Sequence, residues 1–284
     1  MAKPLPSTAR RRKIGRVLRQ IREDAGLTLN AAGRSMERSG SSLSLIEKGI
    51  QQLRLRDLKH ILDVYDVAPD TRAALMTLAE QQQQLGWWEE FKDTISPAAR
   101  DYASLESNAT HLDAYEMGFI PGLLQTEDYA RVVMHAGQVE NNPAQAERFV
   151  VYRMARQQIL DRTRTPRLHV VIDEAALRRK RGRRQVMQEQ LVKLIEQSRR
   201  DDISLQVLPF DVESDPGDVT SFQILDIGRP AVLSTVLIDH LTGSWFMEEE
   251  SIIAAYRASF RRLSAAALGE LDSQKLVQRI VSDL

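Results

Sequence analysis

The chain reads as mainly α with an α+β second domain: an amino-terminal bundle of five helices, then a helical domain carrying a small, mostly antiparallel sheet. Three observations predict this. Apolar residues recur at helical spacing through short segments before residue 80. Strand-like runs rich in Val, Ile, Leu and Thr occur only later, and several are bounded by Pro, Gly or Asp. The charge is divided: residues 1–60 hold 14 Lys/Arg against 5 Asp/Glu, while the remainder holds 25 against 34.

Residues 1–12 are expected to form a flexible basic tail, with two prolines early and Arg10, Arg11 and Arg12 at its end. The first helix is expected near 11–25, with Ile14, Val17, Leu18 and Ile21 on one stripe and Gly26 at its end. Thr28 and Ser39 have the side chains that cap helix starts, and they open the second and third helices. Ala31, Ala32 and Gly33 are small enough to let two helices approach closely. Leu43 and Ile46 point inward from the third helix, which Gly49 closes. A fourth helix near 55–65 places Leu55, Leu58, Ile61, Leu62 and Tyr65 on one stripe. A fifth follows Pro69, with Leu75, Leu78 and Ala79 inward, and runs into Gln81–Gln84, which is either its solvated end, since Gln favours helices, or a short flexible joint. Residues 81–86 are the expected linker, which puts the two domains at 13–80 and 87–284. Beyond Trp87, helical patterns cover 104–117, 126–137, 144–162, 184–198, 249–263 and 270–282, and strand patterns cover 168–172, 204–208, 221–227 and 233–239.

The second and third helices have the pattern of a helix-turn-helix, whose second member enters the major groove of duplex DNA. With Leu43 and Ile46 inward, Ser39, Gly40, Ser41, Ser42, Ser44, Leu45 and Lys48 are the candidate DNA contacts. Serine hydroxyls bond bases or phosphates, and Leu45 suits a thymine methyl. The helix lacks the Arg, Asn or Gln that makes bidentate base contacts. Arg12, Lys13 and Arg16 are candidates for phosphate contacts, which position without specifying. The acidic remainder is expected to stand clear of the duplex. The alternative is that these are only solvated faces of packed helices. Arg22 and Glu47, late in the first and third helices, are expected to form a structural ion pair; the alternative is two separate surface charges.

Pro121, Gly122, Leu123, Gln125 and Thr126 are candidate partner- or ligand-binding residues. Thr126 can cap a helix whose first turn holds Glu127 and Asp128, a favourable place for acidic side chains. This turn either lines a pocket or partner groove or is a well-made helix start in the core. No catalytic residue, metal ligand or cofactor is expected. The chain has no cysteine, which removes disulfides, thiol catalysis and thiolate metal sites. Its five histidines show no metal-ligand spacing, and phosphate-loop and nucleophile-elbow motifs are missing. Asp173–Glu174 is read as the cap of a strand end, and His169 as a buried or edge histidine. No apolar run is long enough for a membrane span, and no secretory pattern opens the chain, so a cytoplasmic protein without membrane contact is expected.

Specific strings carry a resemblance. They include SSLSLIEKG at 41–49, RDLKHILDVYDV at 56–67, GWWEEF at 86–91, DYASLESNAT at 101–110 and FIPGLLQTEDYAR at 119–131. Further on stand RMARQQIL at 153–160, LHVVIDEAALRR at 168–179, LQVLPF at 205–210 and LTGSWFMEE at 241–249. The chain resembles the Xre-type helix-turn-helix regulators with a DUF5753 domain, common in actinobacteria and including the WhiJ type. The resemblance implies a lambda-repressor-like amino-terminal bundle. It also implies a transcription regulator paired with a small DUF397 protein, in some cases antitoxin-like. The expected function is that of a regulator bound to double-stranded DNA and not of an enzyme. A homodimer is expected because two half-sites multiply weak contacts. The alternative is an antitoxin or partner-binding protein in which DNA binding is secondary.

Overall fold

Five amphipathic segments fold as α1 (Ala9–Asp24), α2 (Leu29–Ser35), α3 (Gly40–Glu47), α4 (Leu55–Val64) and α5 (Pro69–Gln83). The computed structural model describes residues 8–83, 86–136, 142–163, 165–212, 220–228, 231–240 and 243–284. Thr8, Thr28 and Ser39 begin α1, α2 and α3, each accepting a backbone N–H three residues on. The Thr8 cap starts the first helix earlier than expected. Arg10, Arg11 and Arg12, expected in a flexible tail, are therefore helical, while residues 1–7 of that tail lie outside the described residues. α5 continues through Gln83, so the first part of the expected linker is helical; residues 84–85 lie outside the described residues.

Leu18, Leu43, Leu58, Ile61 and Leu62 are fully buried at the centre of the bundle. Close approach is set by glycine at two places. A Cβ on Gly15 would stand 2.5 Å from the Glu47 carbonyl oxygen, and one on Gly33 would stand 2.6 Å from that of Arg38. α1 can therefore lie on the end of α3, and α2 on the turn that follows it, only without side chains there. Gly49 closes α3 with φ 68°, and Ile50 N–H then reaches the Leu45 carbonyl at 2.9 Å. Glu37 also has a positive φ, 53°, in the turn between α2 and α3. That conformation costs a non-glycine residue about 1–2 kcal/mol.

The rest of the chain builds a mixed sheet. After a short 3-10 turn at Trp87–Phe91 come α6 (Pro97–Ser107), β1 (Ala109–Glu116), a second 3-10 turn at Gly122–Leu124, α7 (Glu127–Ala136) and α8 (Pro143–Gln157). β2 (Arg167–Asp173), α9 (Glu174–Arg178), α10 (Arg184–Gln197), β3 (Ile203–Leu208), β4 (Phe222–Ile227), β5 (Leu233–His240) and β6 (Gly243–Met247) follow. α11 (Glu250–Ala266) and α12 (Glu270–Asp283) complete the order. The six strands are arranged β3-β2-β1-β4-β5-β6. β1 pairs with β2 and β2 with β3 in parallel, whereas β1–β4, β4–β5 and β5–β6 are antiparallel.

Two of these strands depart from the sequence pattern. β1 falls inside the helix predicted over 104–117, because Leu105, Leu112 and Tyr115 are spaced as helical neighbours although a turn at Asn108 separates the first from the other two. β6 is a short edge strand with little pattern of its own. One face of the sheet, with Leu112, Ala114, Val170, Leu205 and Leu225, packs in a cluster that also takes Leu191 of α10, Val277 of α12 and the core of the bundle. The other face, with Tyr115, Val171, Phe222 and Val236, is covered by Ile253, Phe260 and Leu263 of α11. Among the described residues, no helix is long and apolar enough to cross a membrane.

Candidate nucleic-acid interface

α3 has a buried side and an outward side, as an element that docks elsewhere must. Leu43 and Ile46 face the core, whereas Ser39, Ser41, Leu45 and Lys48 are exposed, Leu45 at 42%. Leu45 is the large apolar side chain on that outward face. The serines differ in role. Ser39 Oγ accepts the Ser42 N–H at 3.1 Å and lies 3.0 Å from Ser41 Oγ, so its hydroxyl serves first as a cap. Ser42 Oγ donates to Gln51 Oε1 at 3.2 Å, tying α3 to the following loop, and Ser44 is half-buried. Gly40 belongs to the packing between helices: a Cβ there would stand 2.2 Å from Asn30 Oδ1.

Arg34, Lys48 and Arg54 lie exposed on α3 and the segments flanking it, and none has an ion-pair partner among the described residues. Of these, only Lys48 is among the contacts expected from sequence. Arg34 and Arg54 stand in the sequence on either side of the third helix, and that position is the signal that would have found them.

Arg22 and Glu47 meet. The guanidinium Nε donates to Glu47 Oε1 at 2.6 Å and Nη2 to Oε2 at 2.9 Å, with both side chains buried. Arg22 Nη1 also donates to the Leu27 carbonyl at 2.8 Å, so the cation is bonded on two sides. Hydrogen bonding to Glu47 holds the Arg22 pKa above its ordinary value. Tyr65, close by, is pushed up to about 12 by burial and by the Glu47 charge. The pair joins the end of α1 to the end of α3 and so fixes the tilt of the candidate recognition helix.

The basic start of α1 is turned inward, contrary to the expectation that it faces phosphate. Arg12 Nε lies 2.9 Å from Glu248 Oε2, and Arg12 Nη2 bonds the other carboxylate oxygen. Arg16 donates to the Glu248 carbonyl and lies 3.4 Å from its carboxylate, and Lys13 is 3.6 Å from Glu250. Arg10 is fully buried, donates to Ser104 Oγ at 2.9 Å, and has its pKa lowered to about 10 by burial. The Ala9 N–H donates to Asp101 Oδ2 at 2.8 Å, and burial raises the Asp101 pKa. The acidic part of the chain therefore pairs with the basic edge of the bundle. Opposite charges on one chain pair at short range, where attraction is much stronger than across a Debye length.

The 119–125 turn is anchored by three helices. Thr126 Oγ1 accepts the Tyr129 N–H at 3.2 Å and so caps α7, while its own N–H donates to Gln190 Oε1 of α10 at 2.7 Å. Gln125 is fully buried, donates to the Ile120 carbonyl at 2.7 Å and accepts from Arg153 Nη1 of α8 at 3.0 Å. Gly122 and Gln125 line a cavity; Leu123 is in the core and Pro121 is buried.

The nearest approach to a catalytic arrangement lies under α11. Ser264 Oγ is 3.5 Å from His169 Nε2, and His169 Nδ1 is 4.0 Å from Asp113 Oδ1. Ser264 instead donates to Gln206 Oε1 at 2.6 Å, which leaves its proton bound elsewhere. Asp113 bonds His111 Nε2 at 2.8 Å, and that bond raises the His111 pKa. Asp173 caps α9 through the Ala175 N–H at 2.8 Å. Among the described residues, no three His, Asp or Glu side chains are placed to hold a metal ion.

Comparison with known families finds two matches. A family described as a helix-turn-helix domain matches residues 13–75, and one described as a domain of unknown function, DUF5753, matches residues 99–279. No curated protein and no solved structure matches the chain. The first match covers the bundle that carries α3 and supports a DNA-binding regulator; the second covers the sheet and all the helices after α6 begins. The chain thus belongs to the DUF5753 family and bears a helix-turn-helix domain ahead of it.

Proposed function

We propose that the protein is a transcription regulator that lays the outward face of α3 in the major groove of double-stranded DNA as a homodimer. Its division into a DNA-binding part at 13–80 and a partner-binding part at 87–284 belongs to the same reading. The carboxy-terminal part binds a partner, of which a small DUF397-type protein is one, and that binding alters DNA affinity. The observation that carries the reading is the exposed face of α3, with Ser41, Leu45 and Lys48 outward, beside Arg34 and Arg54. Arg12 and Arg16 are engaged with Glu248, so the phosphate contacts fall to the cations around α3. Lys13, half-buried beside Glu250, takes a lesser part.

A salt titration on the DNA upstream of the protein's own gene tests it. Affinity is expected to fall steeply with salt. The Lys48→Ala/Arg54→Ala double variant is expected to bind more weakly and to reduce the log–log slope by about 2, near 0.9 for each phosphate no longer neutralised. An unchanged slope would contradict the assignment.

A further inference from the structure

We propose that the cavity between the 119–125 turn, α8 and the β4–β5 pair binds a small monocarboxylate with an apolar tail. The inference rests on the reading that the carboxy-terminal part responds to what it binds, and it names the chemistry of that ligand. The cavity encloses about 270 Å³. Its apolar wall is made by Ile120, Val133, Phe222 and Leu237, and its polar end by Arg153 and Arg156.

Arg156 is held rigidly. Its Nε and Nη2 donate to the two carboxylate oxygens of Glu106 at 2.9 and 2.8 Å, and its guanidinium lies 5.0 Å from the Tyr102 ring centroid. Its Nη1 makes no hydrogen bond among the described residues. A Cβ on Gly122 would stand 3.7 Å from that nitrogen and 3.5 Å from Arg153 Nη1. Two guanidinium nitrogens thus flank space that glycine leaves open, although Arg153 Nη1 is also committed to Gln125 Oε1 at 3.0 Å. Planar N–H donors converging on one point suit a carboxylate. Glu106 and Glu116 match the two arginines charge for charge, so the cavity wall is formally neutral, which favours a monoanion over a phosphate dianion. The volume is at the small end for ligand sites, so the tail is short.

The same residues connect the cavity to the DNA-binding part. Glu106 and Tyr102, which hold Arg156, lie on α6. Asp101 and Ser104 of that helix hold Ala9 and Arg10 of α1. A ligand drawing on Arg156 acts on a helix that grips α1 less than two turns away.

Calorimetry on the full chain with phenylbutyrate, and with its neutral amide, tests the site. Phenylbutyrate is expected to bind at least about tenfold more tightly than the amide, as a charge-assisted contact requires. Gly122→Ala puts a methyl group in ordinary contact with both guanidinium groups, so it is expected to keep the parent melting temperature and to weaken phenylbutyrate about tenfold. Arg153→Gln is expected to weaken it similarly and provides the same test if Gly122→Ala melts early. Equal affinity for acid and amide, no heat at millimolar phenylbutyrate, or parental binding by both variants would overturn the proposal. Gel shifts separate the two readings. Binding of phenylbutyrate without any effect on DNA affinity upholds the site and counts against regulation through it. A parent chain that shifts DNA but does not bind phenylbutyrate rejects the site alone.

Discussion

Arg22→Ala is expected to destabilise the protein by about 3–5 kcal/mol, because it leaves the Glu47 carboxylate buried without its cation. Glu47 is 7% exposed, and the neighbouring Tyr65 hydroxyl is a poor substitute for a bidentate guanidinium. The substitution also frees the Leu27 carbonyl from its donor. The measurement is the melting temperature of the full chain, followed by circular dichroism. Arg22→Met/Glu47→Leu, which removes both charges and keeps the volume, is expected to recover most of the stability, since buried pairs are often replaceable by apolar groups. A parental melting temperature for Arg22→Ala would mean that the pair contributes little to holding α1 against α3.

Ser41→Glu is expected to lower DNA affinity by about 100-fold or more without unfolding the bundle. The side chain is exposed in the first turn of α3, where an added acid is favoured by the helix dipole. Facing phosphate, the same acid is repelled at a cost of several kcal/mol, and each 1.4 kcal/mol is about tenfold in affinity. Ser41→Ala, which removes one hydroxyl, is expected to change affinity much less. Gel shifts with both variants check this. Parental affinity in Ser41→Glu would place the duplex somewhere other than on α3.

The bundle was legible because each of its signals is local. Capping side chains, stripes of Leu and Ile, and Gly49 after α3 act within one or two turns, so periodicity and residue type suffice. The Arg22–Glu47 pair was legible for a different reason: once two helices cross in a helix-turn-helix, their late residues are brought together by geometry. The sheet was only partly legible. β2, β3, β4 and β5 are dense in branched apolar residues, whereas β1 mixes His111, Asp113 and Glu116 with its apolar positions and abuts a helix. Its strand pairing with both β2 and β4 is decided by tertiary packing, which propensity does not contain.

The candidate site divides the same way. The outward face of α3 follows from two inward residues. The engagement of Arg12 and Arg16 does not, because Glu248 is more than 200 residues away in the chain and follows a short edge strand. Charge counts revealed the asymmetry but not its use: part of it joins the two halves of the molecule. Gly122 illustrates the same limit. Its place in a turn was readable, while the two arginines converging on it come from a helix folded back over that turn.

The absence of cysteine makes one direct measurement possible, since a single introduced cysteine can carry an iron–EDTA cleavage reagent. Gln52→Cys places the reagent just beyond α3, and Leu271→Cys places it on α12, over the sheet edge opposite the one that α1 approaches. With α3 in the groove and the carboxy-terminal body off the duplex, the reagent at position 52 cuts DNA inside the protected site and the reagent at position 271 leaves it intact. Cutting from position 271 with none from position 52 would contradict the account.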